Sequence, residues 1–267
     1  CLVNLDWAIN PLPRQRGKPI FLCEDCGHES PRWLGFCPAC KQGAPLVEYH
    51  PPTTQLTHRS SVSTSTTSLH ELSMVTEEHR QRLPLPFNEL SRVLGGGLVP
   101  GSVVLIAGEP GIGKSTLLLQ TSQHLANLGT GVIYVTGEES PHQVKLRADR
   151  LQLSGDGISI LPETDVDRVL EMLERVRPTL VIVDSIQMMH TSDAHSGPGS
   201  STQVRECGLR IMRWAKERNT AVVIAGHITK DGSIAGPMVL EHMVDVVLYI
   251  EAESLSQYRV LRSVKNR

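Results

Sequence analysis

Gly108-Glu109-Pro110-Gly111-Ile112-Gly113-Lys114-Ser115-Thr116 fits the pattern G-x-x-x-x-G-K-[ST], whose chemistry is the capture of nucleotide phosphates. Glycines let backbone N–H groups turn inward against phosphate oxygens, and the start of a helix adds partial positive charge. Lys114 is then the cation for the β- and γ-phosphates of ATP, and the Ser115 hydroxyl a ligand for Mg²⁺. The alternative is a Gly-rich turn that binds nothing. The flanks favour the nucleotide: the β-branched run Val103 to Ala107 enters as a buried strand, and Thr116 to Leu128 leaves as a helix.

Hydrolysis needs further groups, and the ends of other apolar runs offer them. Asp184 closes Thr179-Leu180-Val181-Ile182-Val183, where a carboxylate that holds Mg²⁺ is expected beside such a loop. Glu138 and Glu139 follow the strand Val132 to Thr136; one of them, Glu138 first, would orient and deprotonate the attacking water. The competing reading puts both in the turn before Ser140, where acids favour a helix start. His227 and Lys230 follow the strand Ala221 to Ala225, placed to sense the γ-phosphate or simply to be hydrogen-bonded.

A second chemistry lies near the beginning. Cys23-Glu24-Asp25-Cys26 and Cys37-Pro38-Ala39-Cys40 are two C-x-x-C pairs, and they hold four of the six cysteines in the chain. Each pair forms a knuckle that presents two thiolates, and two knuckles complete a Zn²⁺ tetrahedron. Four protein ligands leave no open position, so the site is expected to be structural. Two disulfides or a redox pair are the alternatives. Trp33, Leu34 and Phe36, between the knuckles, are expected to form the miniature core of this module, with a partner-binding surface as the other reading.

The elements that must position these residues alternate. After the helix that follows the glycine loop come a strand, a helix from Ser140-Pro141 to about Leu151, the strand Ile158 to Leu161 and a helix from Asp165 to Val176. The strand ending at Asp184, a loop from Ser192 to Ser200, a helix from about Thr202 to Arg218, the strand Ala221 to Ala225 and a second loop from Thr229 to Gly236 come next. Val244 to Glu251 and Tyr258 to Val264 are expected as closing strands. This alternation predicts an α/β domain on a mostly parallel sheet. Ahead of it, Leu85 to Leu94 reads as a short helix. Motifs and composition together divide the chain into a zinc module over 20–45, a Ser/Thr-rich flexible linker over 46–80 and a core with the glycine loop over 81–267.

With 26 basic and 28 acidic residues the formal charge is −2, so no global positive field draws the chain to nucleic acid. No apolar run reaches the roughly 18 residues of a membrane span, which gives a cytoplasmic expectation with no membrane partner. The first residue is Cys1, and Leu2 to Lys18 lacks a signal-type apolar core, so the sequence reads as a fragment or processed product.

Several separated phrases resemble the bacterial RadA (Sms) DNA-repair ATPases. They are the four-cysteine module, Arg92 to Gly101 (RVLGGGLVPG), GEPGIGKST from Gly108, TGEES from Thr136, GHITKDG from Gly226, AGP from Ala235, LEHMVD from Leu240 and Lys265-Asn266-Arg267. The resemblance runs from about Ile20 to the end. It implies that 81–267 is a RecA-like ATPase core that binds ATP and Mg²⁺, assembles as a homo-hexamer on single-stranded and branched DNA, and drives branch migration in homologous recombination, with a recombinase or replicative helicase as protein partner. A KaiC-type regulatory ATPase assembling on protein partners and an ATP-binding scaffold with little turnover are the competing functions. In the family a phrase Lys-Asn-Arg-Phe-Gly serves ATPase and motor activity; Lys265, Asn266 and Arg267 match its first three residues, and the resemblance implies a Lon-protease-like domain after them. Lys265 and Arg267 would reach a neighbouring subunit's γ-phosphate from a strand end, or else form an exposed basic end. The loops at Ser192–Ser200 and Thr229–Gly236 correspond to channel-lining positions of RecA-like proteins, with Lys230 able to meet phosphate. Arg205, Arg210, Arg213, Lys216 and Arg218 are the densest basic cluster, to be weighed against an ordinary solvated helix face.

Overall fold

The computed structural model describes residues 20–23, 29–38, 46–49, 81–194, 196–227, 237–253 and 258–266. Two sheets are present among them, one in each functional part of the sequence.

The small sheet has the order β2-β1-β3, with β1 at Ile20–Leu22, β2 at Glu29–Ser30 and β3 at Val47–Tyr49. Both pairings are antiparallel, and Ile20 stands opposite Tyr49. Structure therefore extends past residue 45 into the stretch assigned by composition to the linker, because Val47 and Tyr49 complete a ladder that β1 would otherwise leave open. Cys23, Cys37 and Leu46 are fully or almost fully buried together, with Phe21 and Leu34 against them. Trp33 and Phe36 do not join this core; they are 61% and 62% exposed. The expectation of a three-residue apolar core is corrected to Leu34 alone.

The large sheet carries seven strands in the order β10-β9-β4-β8-β7-β5-β6. These are β4 (Val103–Gly108), β5 (Val132–Thr136), β6 (Ile158–Leu161), β7 (Leu180–Asp184), β8 (Ala221–His227), β9 (Val246–Ala252) and β10 (Arg259–Asn266). Every pairing is parallel except the closing hairpin of β9 and β10.

Strand side chains alternate between faces, and in the central strands both faces are dry, which is why these runs are continuously apolar. Leu105, Val181, Ile224 and Val247 face one layer, built from α4 (Val166–Val176), α5 (Ser201–Arg218) and the short α6 (Pro237–Glu241). Ile106, Tyr134, Ile182, Val223 and Leu248 face the other, built from α1 (Asn88–Val93), α2 (Lys114–Asn127) and α3 (Pro141–Arg150). Burying each such Val, Leu or Ile contributes about 1.5–3 kcal/mol, so the two apolar layers fix the register of the strands and hence the position of their ends.

Local chemistry sets the helix boundaries. Ser140 accepts a hydrogen bond from the Gln143 N–H at 3.3 Å while Gln143 Oε1 accepts from the Ser140 N–H at 2.8 Å, a reciprocal cap ahead of Pro141. α1 starts at Asn88 rather than Leu85, because Pro86 biases Leu85 away from helical dihedrals. α2 starts at Lys114, two residues before the apolar pattern does, so Lys114 and Ser115 belong to its first turn. α6 was not anticipated; it holds the buried Leu240 against α5, where a Cβ on Gly208 would stand 2.3 Å from Leu240 Cδ2. Among the described residues, no helix is long and apolar enough to cross a membrane.

Candidate nucleotide site

Four adjacent strands, β4, β8, β7 and β5, bring their carboxyl ends to one edge of the sheet. Register makes the juxtaposition specific: Gly108 pairs with His227, and Thr136 pairs with Asp184. Ligands of open parallel sheets bind at such an edge.

The glycine loop leaves β4 at Gly108 and turns through Glu109, Pro110, Gly111 and Ile112 to Gly113, which caps α2 at φ 110°. A side chain at Gly108 would meet the Ile250 carbonyl oxygen at 2.6 Å, so the residue is small for a reason of packing as well as of phosphate approach. Lys114 folds back over the loop and donates from Nζ to the Gly108 and Glu109 carbonyl oxygens at 2.8 and 2.9 Å. It is 3% exposed. Burial lowers its pKa from the ordinary lysine value, while Asp184 and then Glu138 oppose the shift. Ser115 and Thr116 occupy the first turn beside it.

Asp184 ends β7 and is nearly buried. Its Oδ2 accepts from the Tyr134 hydroxyl at 2.5 Å. Burial, reinforced by the Asp184 charge, raises the Tyr134 pKa well above 10.0, so the phenol remains a donor. An aliphatic hydroxyl and a carboxylate are hard oxygen donors, which suits Mg²⁺, so Ser115 and Asp184 fit that ion.

Glu138 lies in the turn after β5. Its Oε1 accepts from Ser185 Oγ and is 2.8 Å from His227 Nε2. The His227 hydrogen bond brings the Glu138 carboxyl down to about 2; the Ser185 bond and the Lys114 charge act in the same direction, and burial opposes them. Glu139 is turned away, ion-paired with Arg147 of α3. Of the two acids only Glu138 meets the site. Gln187, in the 3-10 turn Ile186–Met188, donates from Nε2 to the His227 carbonyl oxygen at 3.2 Å. Among the described residues, Gln187 Oε1 and His227 Nδ1 are buried without a hydrogen-bond partner. Both belong to this edge, and a polar ligand is what such atoms lack.

These arrangements set the site beside known proteins. Residues 69–233 match the AAA domain family, and residues 21–44 match the rubredoxin metal binding domain family. Three curated relatives are named DNA repair protein RadA. Those of Halalkalibacterium halodurans, Bacillus subtilis and Escherichia coli K12 are 48%, 46% and 44% identical to this chain, each over 94% of it and 55% of the relative. The chain belongs to the RadA family of RecA-like AAA-domain proteins. It spans about 55% of the length of those relatives. Two solved structures share the fold. One, described as an ATPase domain, has a TM-score of 0.59 at 15% identity, over 70% of this chain and 84% of that one. The other, a KaiC-like protein from Pyrococcus horikoshii OT3, has a TM-score of 0.57 at 19% identity, over 70% of this chain and 89% of that one.

Within this RadA-family chain, other expected residues lie apart from the nucleotide edge. Lys265 is at the opposite end of the sheet, donating to the Glu241 and His242 carbonyl oxygens at 2.8 and 3.1 Å, and Asn266 donates to the Val93 carbonyl oxygen at 2.9 Å. Arg267, Lys230, the loop from Thr229 to Gly236, Cys26 and Cys40 lie outside the described residues. Cys23 and Cys37, one from each C-x-x-C pair, share one buried cluster, and two thiols so placed fit a zinc ribbon. The basic helix α5 is largely engaged with acids of its own domain: Arg210 with Asp167 and Asp193, Lys216 with Asp245 at 3.0 Å, and Arg218 with Glu174 at 2.7 Å. That favours the solvated face over a nucleic-acid face. The segment before α5 is likewise folded, since Gln203 Nε2 donates to the Thr191, Ala194 and Ser196 carbonyl oxygens at 3.1, 3.0 and 2.8 Å.

Sequence reasoning missed Tyr134, Ser185 and Gln187. Ser185 and Gln187 follow Asp184 closely, and a polar residue just past a strand end is the available signal. Tyr134 sits inside a strand and gives none.

Proposed function

We propose that this chain is the ATP-binding and ATP-hydrolysing core of a DNA-repair ATPase. The observation that carries the reading is the meeting of Lys114, Asp184, Glu138 and His227 at one sheet edge, where two buried polar atoms have no partner among the described residues. The glycine loop and the α2 N-terminus bind the phosphate chain, and Lys114 transfers from two carbonyl oxygens to β- and γ-phosphate oxygens. Ser115 and Asp184 hold Mg²⁺, which when bound neutralises charge on the phosphates.

Glu138 orients the attacking water and accepts its proton. Held by His227 and Ser185 with a pKa of about 2, it is ionised but a weak base. When a γ-phosphate draws His227 Nε2 away, the carboxylate loses the hydrogen bond that lowers its pKa most and gains basicity. Hydrolysis is thus tied to occupancy of the site. Because β8 ends at His227 and the chain continues into the loop from Thr229, nucleotide state passes to a loop proposed to contact DNA, with Lys230 on phosphate.

Assembly as a homo-hexamer would bring Lys265 and Arg267 to a neighbour's nucleotide, and Cys23, Cys26, Cys37 and Cys40 would hold structural zinc. Branch migration on single-stranded and branched DNA is the activity expected of the whole protein. ATP hydrolysis by that protein, with and without single-stranded DNA, tests the reading. Stimulation is expected; no stimulation together with no salt-dependent DNA binding would overturn it.

A further inference from the structure

The nucleotide site as described leaves one cation unused. Arg259 opens β10 opposite Ala252 of β9, and β9 pairs with β4 so that Ile250 lies beside Gly108. The hairpin end therefore stands against the glycine loop. A guanidinium nitrogen of Arg259 lies 3.2 Å from the point a Cβ on Gly113 would occupy, directly before Lys114.

The Arg259 side chain is exposed and, among the described residues, makes no hydrogen bond or ion pair. Arg262, further along the same strand, shows the ordinary alternative. It is bonded to Glu251 at 2.6 Å and lies over the Tyr249 ring at 5.4 Å. The loop N–H groups, the α2 N-terminus and Lys114 direct donors to the same corner, with the Asp184 and Glu138 carboxylates across the site. A guanidinium that no carboxylate holds at hydrogen-bond distance is free to bind an anion that enters beside it.

We propose that Arg259 is a second cation of the nucleotide site, supplied by the same chain as the glycine loop, and that it binds phosphate oxygens of the nucleotide. The proposal rests on the ATP-binding reading above. A guanidinium presents a planar fork of donors that matches phosphate better than an ammonium does. Contributed in cis, Arg259 holds ATP and ADP alike and needs no neighbouring subunit, which separates it from Lys265 and Arg267.

Equilibrium titration of the whole protein with ADP and with inorganic pyrophosphate tests this, using the wild type, Arg259→Ala, Arg259→Lys and Lys114→Ala. Arg259→Ala should raise the Kd for both probes by about tenfold or more, as expected for a lost charge-assisted hydrogen bond. Arg259→Lys should recover part of that loss by keeping the charge without the fork. The melting temperature without ligand should match the wild type, because the side chain is exposed and unbonded. Wild-type affinity of Arg259→Ala for both probes, with Lys114→Ala impaired, would overturn this proposal and leave the ATP reading intact. Weakened ADP binding with unchanged pyrophosphate binding would also overturn it, because the contact would then be to base or sugar. Failure of the wild type to bind either probe would overturn both.

Discussion

The two ends of the large sheet are built from similar residue types and treat them differently. At the amino end, Asp245 Oδ2 accepts from the Val103 N–H at 2.9 Å and from Lys216 at 3.2 Å, Lys265 is capped by two carbonyl oxygens, and Asn266 by one. At the carboxyl end Lys114 is likewise capped by two carbonyl oxygens, but Glu138 shares one oxygen between two donors, and His227 Nδ1 and Gln187 Oε1 have no partner among the described residues. Polar groups at the first end complete the fold. His227 and Gln187 at the second have bonding capacity that the described residues do not use, and unused capacity in a buried place marks where a ligand belongs.

The largest effect expected of this contrast is at Lys114. Lys114→Ala should reduce ATP turnover by about a thousandfold or more, since it removes the cation on the transferring phosphoryl group. Unchanged turnover would remove the loop from the mechanism. Glu138→Gln should lower turnover by about a hundredfold or more while ATP still binds, because a general base acts on the chemical step. Single-turnover hydrolysis and equilibrium binding, measured together, separate the two variants. A Glu138→Gln protein that loses binding and turnover equally would mean the carboxylate holds the site together rather than handling water.

The contrast was only half legible in the sequence. The carboxyl end was readable because phosphate capture imposes a spacing on Gly108, Gly113 and Lys114, and because Asp184 and His227 each follow an apolar run closely. Such constraints are local. Lys265 and Asn266 looked equally functional, since their partners at Glu241, His242 and Val93 are supplied by distant elements that spacing does not reveal. Tyr134 and Arg259 were invisible for the same reason: one points inward from a strand, and the other meets Gly113 only because the closing hairpin pairs with β4. Basic residues on α5 read as a cluster until α4 and the β9 approach supplied Asp167, Glu174 and Asp245. The parallel sheet itself was predictable, because the continuous apolar runs of β4, β5, β7 and β8 admit few other ways to bury both faces.

A smaller effect belongs to the amino end. Asp245→Ala removes a bond to the start of β4 and the Lys216 pair, so it should destabilise the core by about 1–3 kcal/mol, the usual penalty for leaving a backbone N–H unpaired. Urea unfolding measures that loss. ADP affinity should stay at the wild-type value, since the site lies at the other end of the strands. A variant that keeps its stability but loses ADP affinity would erase the distinction between the two ends.

The smallest effect is a pH dependence confined to the carboxyl end. The Glu138 carboxyl is held at about 2 against an ordinary 4.5, first by His227 and then by Ser185 and Lys114. A depressed folded value means that the ionised group contributes stability present above about pH 4.5 and lost as pH falls through about 2. Glu138 is 39% exposed, so solvent screening keeps the contribution below about 1 kcal/mol. Urea midpoints of the wild type and Glu138→Gln should therefore differ slightly at pH 7 and approach each other as pH falls from about 4.5 to about 2. His227→Ala should shrink the gap at pH 7, because it removes the largest cause of the shift. A gap that survives undiminished at pH 3 would mean that Glu138 is not held by charge and hydrogen bonds at all, and the proposed release of the base by γ-phosphate would lose its footing.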